Sequence, residues 1–181
     1  MKGGSGRGAV LLIALALSAL AASATMSTSD YSLTKERAAI EYQAARTQCS
    51  PLAGNPRTVC LAEARAVERK AMAEAEARYH GTAMARRDAT IESAEADFEV
   101  AKTKCNTRTG NDRDVCVKEA KAMEVRTKAE AIANEKIAAV RRDMRDDERN
   151  AEYEVAIEKC DTLASAPKDQ CLADAKAKYR K

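Results

Sequence analysis

Six cysteines carry the clearest chemical signal in this 181-residue chain. They form three pairs, each with an internal separation of 11 positions: Cys49 with Cys60, Cys105 with Cys116, and Cys160 with Cys171. A C-x10-C spacing is wider than the spacing of zinc ligands, and the sequence has no C-x-x-C redox pair. We therefore expect three local disulfide bonds, one within each pair.

A rival disulfide set stays open from the sequence alone. If two long helices pair antiparallel around the second cysteine pair, Cys60 comes close to Cys160. A Cys60–Cys160 bond could then form together with Cys49–Cys171. The equal local spacing in all three copies favours the local set, and either set requires an oxidising compartment.

Other catalytic or metal-binding chemistry is not indicated. His80 is the only histidine, it precedes a glycine in a polar stretch, and we expect it to be a solvated surface residue. One histidine cannot complete a zinc set of two cysteines and two histidines, and the C-x10-C spacing is not the close spacing that zinc sites use. The carboxylates are spread along helix faces, and no glycine-rich phosphate loop is present. We therefore expect no catalytic residue, no metal, no cofactor and no enzymatic activity.

The first 24 residues predict an export signal. Lys2 and Arg7 precede an apolar run at 9–22, and Ala22-Ser23-Ala24 gives the small-x-small pattern of a signal-peptidase site. The run is shorter than the ~20 residues that a membrane span needs. We expect residues 1–24 to be a cleaved signal peptide and residues 25–181 to form one helical domain with no integral membrane span. This predicts a periplasmic or secreted protein; an uncleaved anchor is the alternative.

The segments around the cysteines repeat as well and predict the fold. Between the turns the chain is rich in Ala, Glu, Lys and Arg, which form helices readily. We predict an all-α fold of long antiparallel helical hairpins, an elongated, coiled-coil-like bundle. It is built from three Cys-stapled repeats, at about 30–80, 81–136 and 137–181.

Two layouts of the helices fit this pattern. The first is a rod in which two long helices pair and two short helices complete a four-helix bundle at one end. Its helices span about 30–49, 56–104, 112–159 and 167–180, with Asn55 and Asn111 as N-caps. The second breaks the long helices near residues 81 and 137 into three stacked hairpins. Gly81 is the one credible hinge, and the rod is preferred because no helix breaker lies near Ile137.

The charge of the chain argues against a nucleic-acid partner, and its densest charge run is a candidate docking patch for another partner. Two of the 31 Lys and Arg residues precede residue 25 and all 28 Asp and Glu residues follow it, so the rest of the chain has a net charge of +1. Nucleic-acid binding needs a basic surface, so we expect no nucleic-acid partner. The densest charge run, at 141–149, is either a solvated flank or a docking patch. Its candidate partner-binding residues are Arg141, Arg142, Arg145 and Arg149.

The chain resembles exported proteobacterial proteins described as TolA-like and assigned to cell-envelope biogenesis. The residues that carry this resemblance are the signal segment and the Ala/Glu/Lys/Arg-rich helices, such as those at 62–66 and 128–131. The resemblance implies a helical protein of the bacterial envelope. Its partner would then be another envelope protein or a second copy of the chain.

A second resemblance supports an alternative function. Leu33-Thr34-Lys35-Glu36-Arg37 is similar to the LTxxQ motif of Spy-like periplasmic chaperones, with Arg37 in the place of Gln. From the sequence we expect a non-enzymatic binding, spacer or scaffold module of the envelope. The alternative is a Spy-like chaperone that holds unfolded clients.

Overall fold

A computed structural model describes residues 25–181, and this part of the chain is all-α, as predicted. Neither strands nor bridges occur among those residues. The five helices are α1 (Thr28–Gln48), α2 (Gly54–His80), α3 (Ala83–Cys105), α4 (Gly110–Cys160) and α5 (Ser165–Tyr179). The predicted signal peptide at 1–24 lies outside the described residues.

The helices form a single layer instead of a closed bundle. Within residues 25–181, each helix packs only against the helices that precede and follow it in the chain. Successive helices run antiparallel, because each is joined to the next by a short turn. Both broad faces of the layer and its two outer edges therefore remain open to solvent.

Small residues at a spacing of 11 let neighbouring helices approach closely. In α2, Ala64 and Ala75 are buried on one side, and Ala66 and Ala77 on the opposite side. Eleven residues are close to three helical turns, so residues 11 apart lie on nearly the same line along the helix. One line of α2 thus packs against α1 and the other against α3. The same spacing separates the buried Ala83, Ala94 and Cys105 of α3.

Helix α4 has 51 residues and runs antiparallel to α3, so it extends well beyond the residue at which α3 begins. Its buried residues Glu124, Ala131 and Cys160 lie within about 20° of one another around the helix axis, at about 100° per residue. Helices α3 and α5 therefore dock on the same side of α4, one on each half. Between them, residues 140–148 are all exposed.

The prediction of a continuous helix at 56–104 was wrong. The chain turns at Gly81, which has φ +64° and ends α2 in the left-handed conformation that glycine adopts readily. Thr82 then caps α3 through its side-chain oxygen, which accepts a hydrogen bond from the Ala85 amide at 3.0 Å. The prediction of the rod treated Gly81 as a hinge within a helix and gave no weight to Thr82 as a capping residue. The competing break near residue 137 is also absent, since α4 is uninterrupted there.

Because α2 folds back onto α3, other details of the rod were wrong. Helix α2 does not pack against α4, so Cys60 does not lie beside Cys160, and α1 and α5 form no bundle in the described residues. The disulfide turns that follow α1 and α3 meet at one end of the layer, where Lys104 bonds Glu63 at 2.7 Å. The disulfide turn between α4 and α5 lies at the other end of α4.

The three local disulfides are present, and the rival set is excluded. Cys49–Cys60, Cys105–Cys116 and Cys160–Cys171 each join two consecutive helices, with Cα atoms 5.7–5.8 Å apart. No cysteine in residues 25–181 is free. In a layer with so little apolar core, these bonds hold α1 to α2, α3 to α4 and α4 to α5, whereas α2 and α3 are held together by packing and ion pairs.

The helices after the disulfide turns begin slightly earlier than predicted. Asn55 and Asn111 are not N-caps: the capping positions are Ala53 and Thr109, and neither gives a side-chain hydrogen bond. The residues that follow the capping positions, Gly54, Gly110 and Ser165, all have φ between 54° and 60°. This turn therefore needs a left-handed residue, which glycine provides in the first two copies.

The third copy has serine at this left-handed position, which strains it. We expect Ser165→Gly to raise the free energy of unfolding by about 1 kcal/mol, since an L-residue with a Cβ is disfavoured there. Urea denaturation followed by circular dichroism measures the change. The reciprocal Gly110→Ser, where an added Cβ meets no atom within 4 Å, should lower stability by a similar amount. Equal stability of both variants and the parent chain would contradict this account.

Candidate functional site

Four arginines lie on one side of the exposed middle segment of α4. Arg141, Arg145 and Arg149 follow one another at intervals of four residues, and Arg142 lies beside them. Together they cover an arc of about 100° around the helix. This arc includes the side on which α3 and α5 dock.

A recess of about 440 Å³ is present where this segment passes the start of α3. Its lining includes Arg141, Arg142 and Arg145 together with Arg86 of α3. We call these four residues the arginine recess. The structure thus brings together three of the four predicted partner-binding arginines. The fourth, Arg149, does not line the recess, and instead bonds Asp146 at 2.7 Å.

Arg86 is a member of the recess that sequence reasoning did not include. Its side chain donates a 3.0 Å hydrogen bond to the carbonyl oxygen of Gly81 and so is held at the turn. The repeat contains the signal that could have identified it. Arg86-Arg87-Asp88 and Arg141-Arg142-Asp143 occupy equivalent positions 55 residues apart.

The arginine recess is suited to binding anionic groups. None of its four arginines has a carboxylate within 4.0 Å among residues 25–181. The remaining lining residues are Ala83, Asn134, Ile137 and Ala138. Guanidinium groups bind carboxylates and phosphates through paired N–H donors, so the unpaired set favours an acidic partner. The lining has no carboxylate, histidine or cysteine that could act as a general base or nucleophile.

The buried Glu124 belongs to an ion cluster that joins α3 to α4. Its carboxylate is held by Lys121 and Lys128, each at 2.6 Å, and Lys128 also bonds Glu95 of α3 at 2.7 Å. Lys121 lies over the ring of Phe98. Hydrogen bonds from Lys121 and then Lys128 lower the pKa of the Glu124 carboxyl. We assign this cluster a structural role, since all of its charges are neutralised within it.

Stability should fall in acid because of this cluster. The pKa of Glu124 is lowered in the folded chain, so its contribution is full above the unfolded pKa of about 4.3 and is lost as pH falls through the folded value. We expect Glu124→Gln to lower the free energy of unfolding at pH 7 by about 1 kcal/mol and to flatten its decline between about pH 5 and pH 3. Urea denaturation at each pH measures both effects. The exposed Glu130→Gln is the control, and an unchanged pH profile for Glu124→Gln would contradict the assignment.

His80 lies at the surface and bonds Glu76, with Nε2 and Oε1 2.9 Å apart. The hydroxyl of Tyr31 also donates to Glu76, and the rings of Tyr31 and Tyr79 stack with centroids 4.6 Å apart. The hydrogen bond from Tyr31, followed by that of His80, lowers the pKa of Glu76. These contacts fasten the start of α1 to the end of α2.

A larger concave surface was missed by the sequence reasoning. It is a trough of about 810 Å³ with α2 as its floor and α1 and α3 as its walls. Its basic lining residues are Arg46, Arg57, Arg65 and Arg69, and its only acidic one is Glu99. The sequence could not indicate it, because the trough exists only where α2 folds back beside α3.

Neither a metal site nor a membrane span is found in the part of the chain that the structure describes. No three His, Cys, Asp or Glu side chains in residues 25–181 are arranged to hold a metal ion. Among the same residues, no helix combines the length and the apolar character required to cross a membrane.

Comparison of the chain with protein-family models, with curated proteins and with solved structures gave no match.

Proposed function

We propose that this chain is a non-enzymatic binding and spacing module of the bacterial envelope, and that an acidic segment of a partner protein docks in its arginine recess. The observation that carries the proposal is the gap on α4 between α3 and α5. There the helix is bare, and four arginines without carboxylate partners converge. A helix that bridges two packed blocks, and whose arginines line a recess where neither block covers it, is suited to binding a partner at that recess.

The length of α4 supports the spacing role. Cys116 and Cys160 lie near its two ends, roughly 66 Å apart at 1.5 Å per residue. The helices that dock on α4 are fastened at those ends by the second and third disulfides. The partner would therefore bind near the middle of a strut whose two ends are each fixed by a covalent bond.

An oxidising compartment fits this proposal. Three disulfides and no free cysteine in residues 25–181 are typical of exported proteins. The predicted signal at 1–24 favours export, and the resemblance to TolA-like proteins favours the periplasm over release into the medium. They also favour an envelope protein as the partner.

Site-specific photo-cross-linking in living cells tests the proposal. A photo-reactive residue at position 145 would probe the arginine recess, and one at position 147 serves as its matched control. The two positions are adjacent along the helix but about 200° apart around it, so only the first faces the recess. Captured proteins are identified by mass spectrometry.

We expect one dominant protein adduct at position 145 and little at position 147. The adduct should weaken when Arg86 and Arg142 are replaced by glutamine, because the acidic partner then loses two of its contacts. Equal capture at both positions, or no capture at position 145, would contradict docking in the recess.

A chaperone is the second candidate, and exposed aliphatic side chains favour it. On α4, Met123, Val125, Val140 and Met144 are 56–64% exposed, among charged neighbours. Such a surface could hold unfolding clients through mixed apolar and charged contacts. Suppression of the aggregation of heat-unfolded citrate synthase would test this function. A chaperone should act at a near-stoichiometric ratio and lose this effect when Val140 and Met144 become serine, whereas a specific adaptor should show no suppression.

A further inference from the structure

The trough formed by α1, α2 and α3 is lined mainly by groups that bind anions and hydroxyls. Besides its arginines it presents side-chain hydroxyls or amides from each of the three helices and the first turn. These polar residues are Tyr42, Gln43, Thr47, Ser50, Thr58 and Thr103. Leu61 and three alanines supply the apolar part of the lining. Its volume of about 810 Å³ is that of a small-molecule site.

Three of the four arginines in the trough have no acidic partner in the part of the chain that the structure describes. Arg69 bonds Glu92 at 2.6 Å, and this bond raises its pKa, whereas Arg57 and Arg65 have no carboxylate within 4.0 Å in residues 25–181. Arg46 lies over the Tyr42 ring at 5.6 Å and donates to the Gln43 side chain at 3.3 Å. On the opposite face of the same helices, lysines are paired with acids, as Lys70 is with Asp97 at 2.5 Å. The cationic groups of the trough are thus left available.

The later repeats provide an internal comparison. Three neutral residues of the trough, Gln43, Ser50 and Thr58, occupy positions that are acidic in at least one later copy. Their counterparts are, in order, Glu99 and Glu154, Asn106 and Asp161, and Asp114 and Asp169. The basic character of position 57 is kept in all copies, as Arg113 and Lys168. The first repeat has therefore kept its cations while lacking the acids beside them.

The contacts in each repeat show how a neutral residue in place of an acidic one changes the neighbouring cation. In the third repeat, Lys168 bonds Asp161 at 2.8 Å, which neutralises the cation. In the second repeat, Arg113 donates to the amide oxygen of Asn106 at 3.2 Å. In the first repeat, the equivalent pair is Arg57 and Ser50, which leaves a full positive charge facing the trough. The Cys49–Cys60 bond fixes the turn that carries Ser50 against the helix that carries Arg57.

We propose that the trough binds an anionic glycan, that is, a carbohydrate chain bearing carboxylate or phosphate groups. Arg46, Arg57 and Arg65 would bind the anionic groups. Four of the lining hydroxyls donate to backbone carbonyl oxygens and would accept hydrogen bonds from sugar hydroxyls, and the Gln43 amide nitrogen would donate to them. An acidic peptide is less well matched, because most of the polar lining is hydroxyl. The trough lies on α1–α3 and shares no lining residue with the arginine recess, so this binding is independent of partner docking.

Fluorescence anisotropy with labelled oligosaccharides tests the proposal on the disulfide-bonded chain at about 0.15 M salt. The probes are hexagalacturonate, which carries carboxylates, and pentamannose 6-phosphate, with neutral maltohexaose as the ligand control. Inorganic tripolyphosphate serves as a competitor that has charge without sugar. The two anionic probes distinguish a carboxylated from a phosphorylated ligand.

Three variants distinguish binding in the trough from a general effect of positive charge. The triple variant Arg46→Gln/Arg57→Gln/Arg65→Gln should weaken binding by at least about tenfold. Its matched control removes three exposed arginines elsewhere, with Arg37→Gln/Arg108→Gln/Arg126→Gln, and should leave binding unchanged. A further variant, Gln43→Glu/Ser50→Asp, keeps every arginine but introduces the acids of the third repeat. It should weaken binding as much as the triple variant.

Each remaining outcome would overturn the proposal. If neither anionic probe binds, the trough is not a glycan site. If the control variant loses as much affinity as the trough variant, the binding reflects overall charge. If tripolyphosphate competes as well as the unlabelled glycans do, the site recognises charge alone. Circular dichroism of each variant confirms that the helices are intact.

Discussion

Replacing Cys160 and Cys171 with serine should release α5 from the rest of the molecule. Among residues 25–181, α5 packs only against α4, and its buried residues are Ala175 and Tyr179. A helix of 15 residues is marginal in water without tertiary contacts. Loss of a bond that closes a loop of this size costs about 3 kcal/mol in the chain-entropy model, which is more than these contacts can offset.

Hydrogen exchange followed by mass spectrometry measures this release. We expect amides at 165–179 to lose their protection while those of α2 and α3 keep theirs. The matched variant replaces Cys105 and Cys116 with serine. There α3 still packs against both α2 and α4, so its protection should fall without being lost. Full protection of α5 in the Cys160/Cys171 variant would contradict its dependence on the disulfide.

Enlarging a buried alanine should have the second large effect. Ala96 of α3 is 1% exposed and lies on the side of α3 that faces α2. Leucine there has no space, because the helices approach closely along their alanine lines. We expect Ala96→Leu to lower the free energy of unfolding by about 2 kcal/mol or more, as overpacked cores do.

The outer side of α4 supplies the control for this substitution. Ala133 is exposed there, and we expect Ala133→Leu to change stability by less than about 0.5 kcal/mol. Urea denaturation compares the two variants, with the same dependence of the unfolding free energy on urea concentration used for both. If Ala96→Leu were as stable as Ala133→Leu, the alanine lines would not set the distance between helices.

The disulfides and the helical class followed directly from the sequence, because both depend on local spacing. Equal C-x10-C intervals predicted the three bonds, and alanine-rich stretches with few breakers predicted the helices. The layer arrangement was harder to predict. It depended on whether one residue, Gly81, is a hinge inside a helix or a helix end. The adjacent Thr82 decides this by capping α3, and that combination of glycine with a capping residue is readable in the sequence.

The candidate sites, too, were predictable where they depend on one helix and not where they depend on contacts between helices. The arginines of α4 were visible as a charge run, because neighbours on one helix can be placed from periodicity alone. Arg86 and the trough depend on contacts between helices, so they needed the turn at Gly81 to be known. Asn55 and Asn111 were wrong as caps because the turn geometry requires a left-handed residue just before them.

The continuity of α4 is the central claim, since the arginine recess exists only if the helix passes unbroken between α3 and α5. Spin labels at Arg126 and Glu154, both exposed, measure it directly through their dipolar coupling. They are best introduced as unnatural amino acids, so that no new cysteine disturbs the disulfides. An unbroken helix predicts a single narrow distance of about 42 Å between the backbone positions. A break near residue 137 would fold the two halves together, and a distance below about half that value would contradict the account.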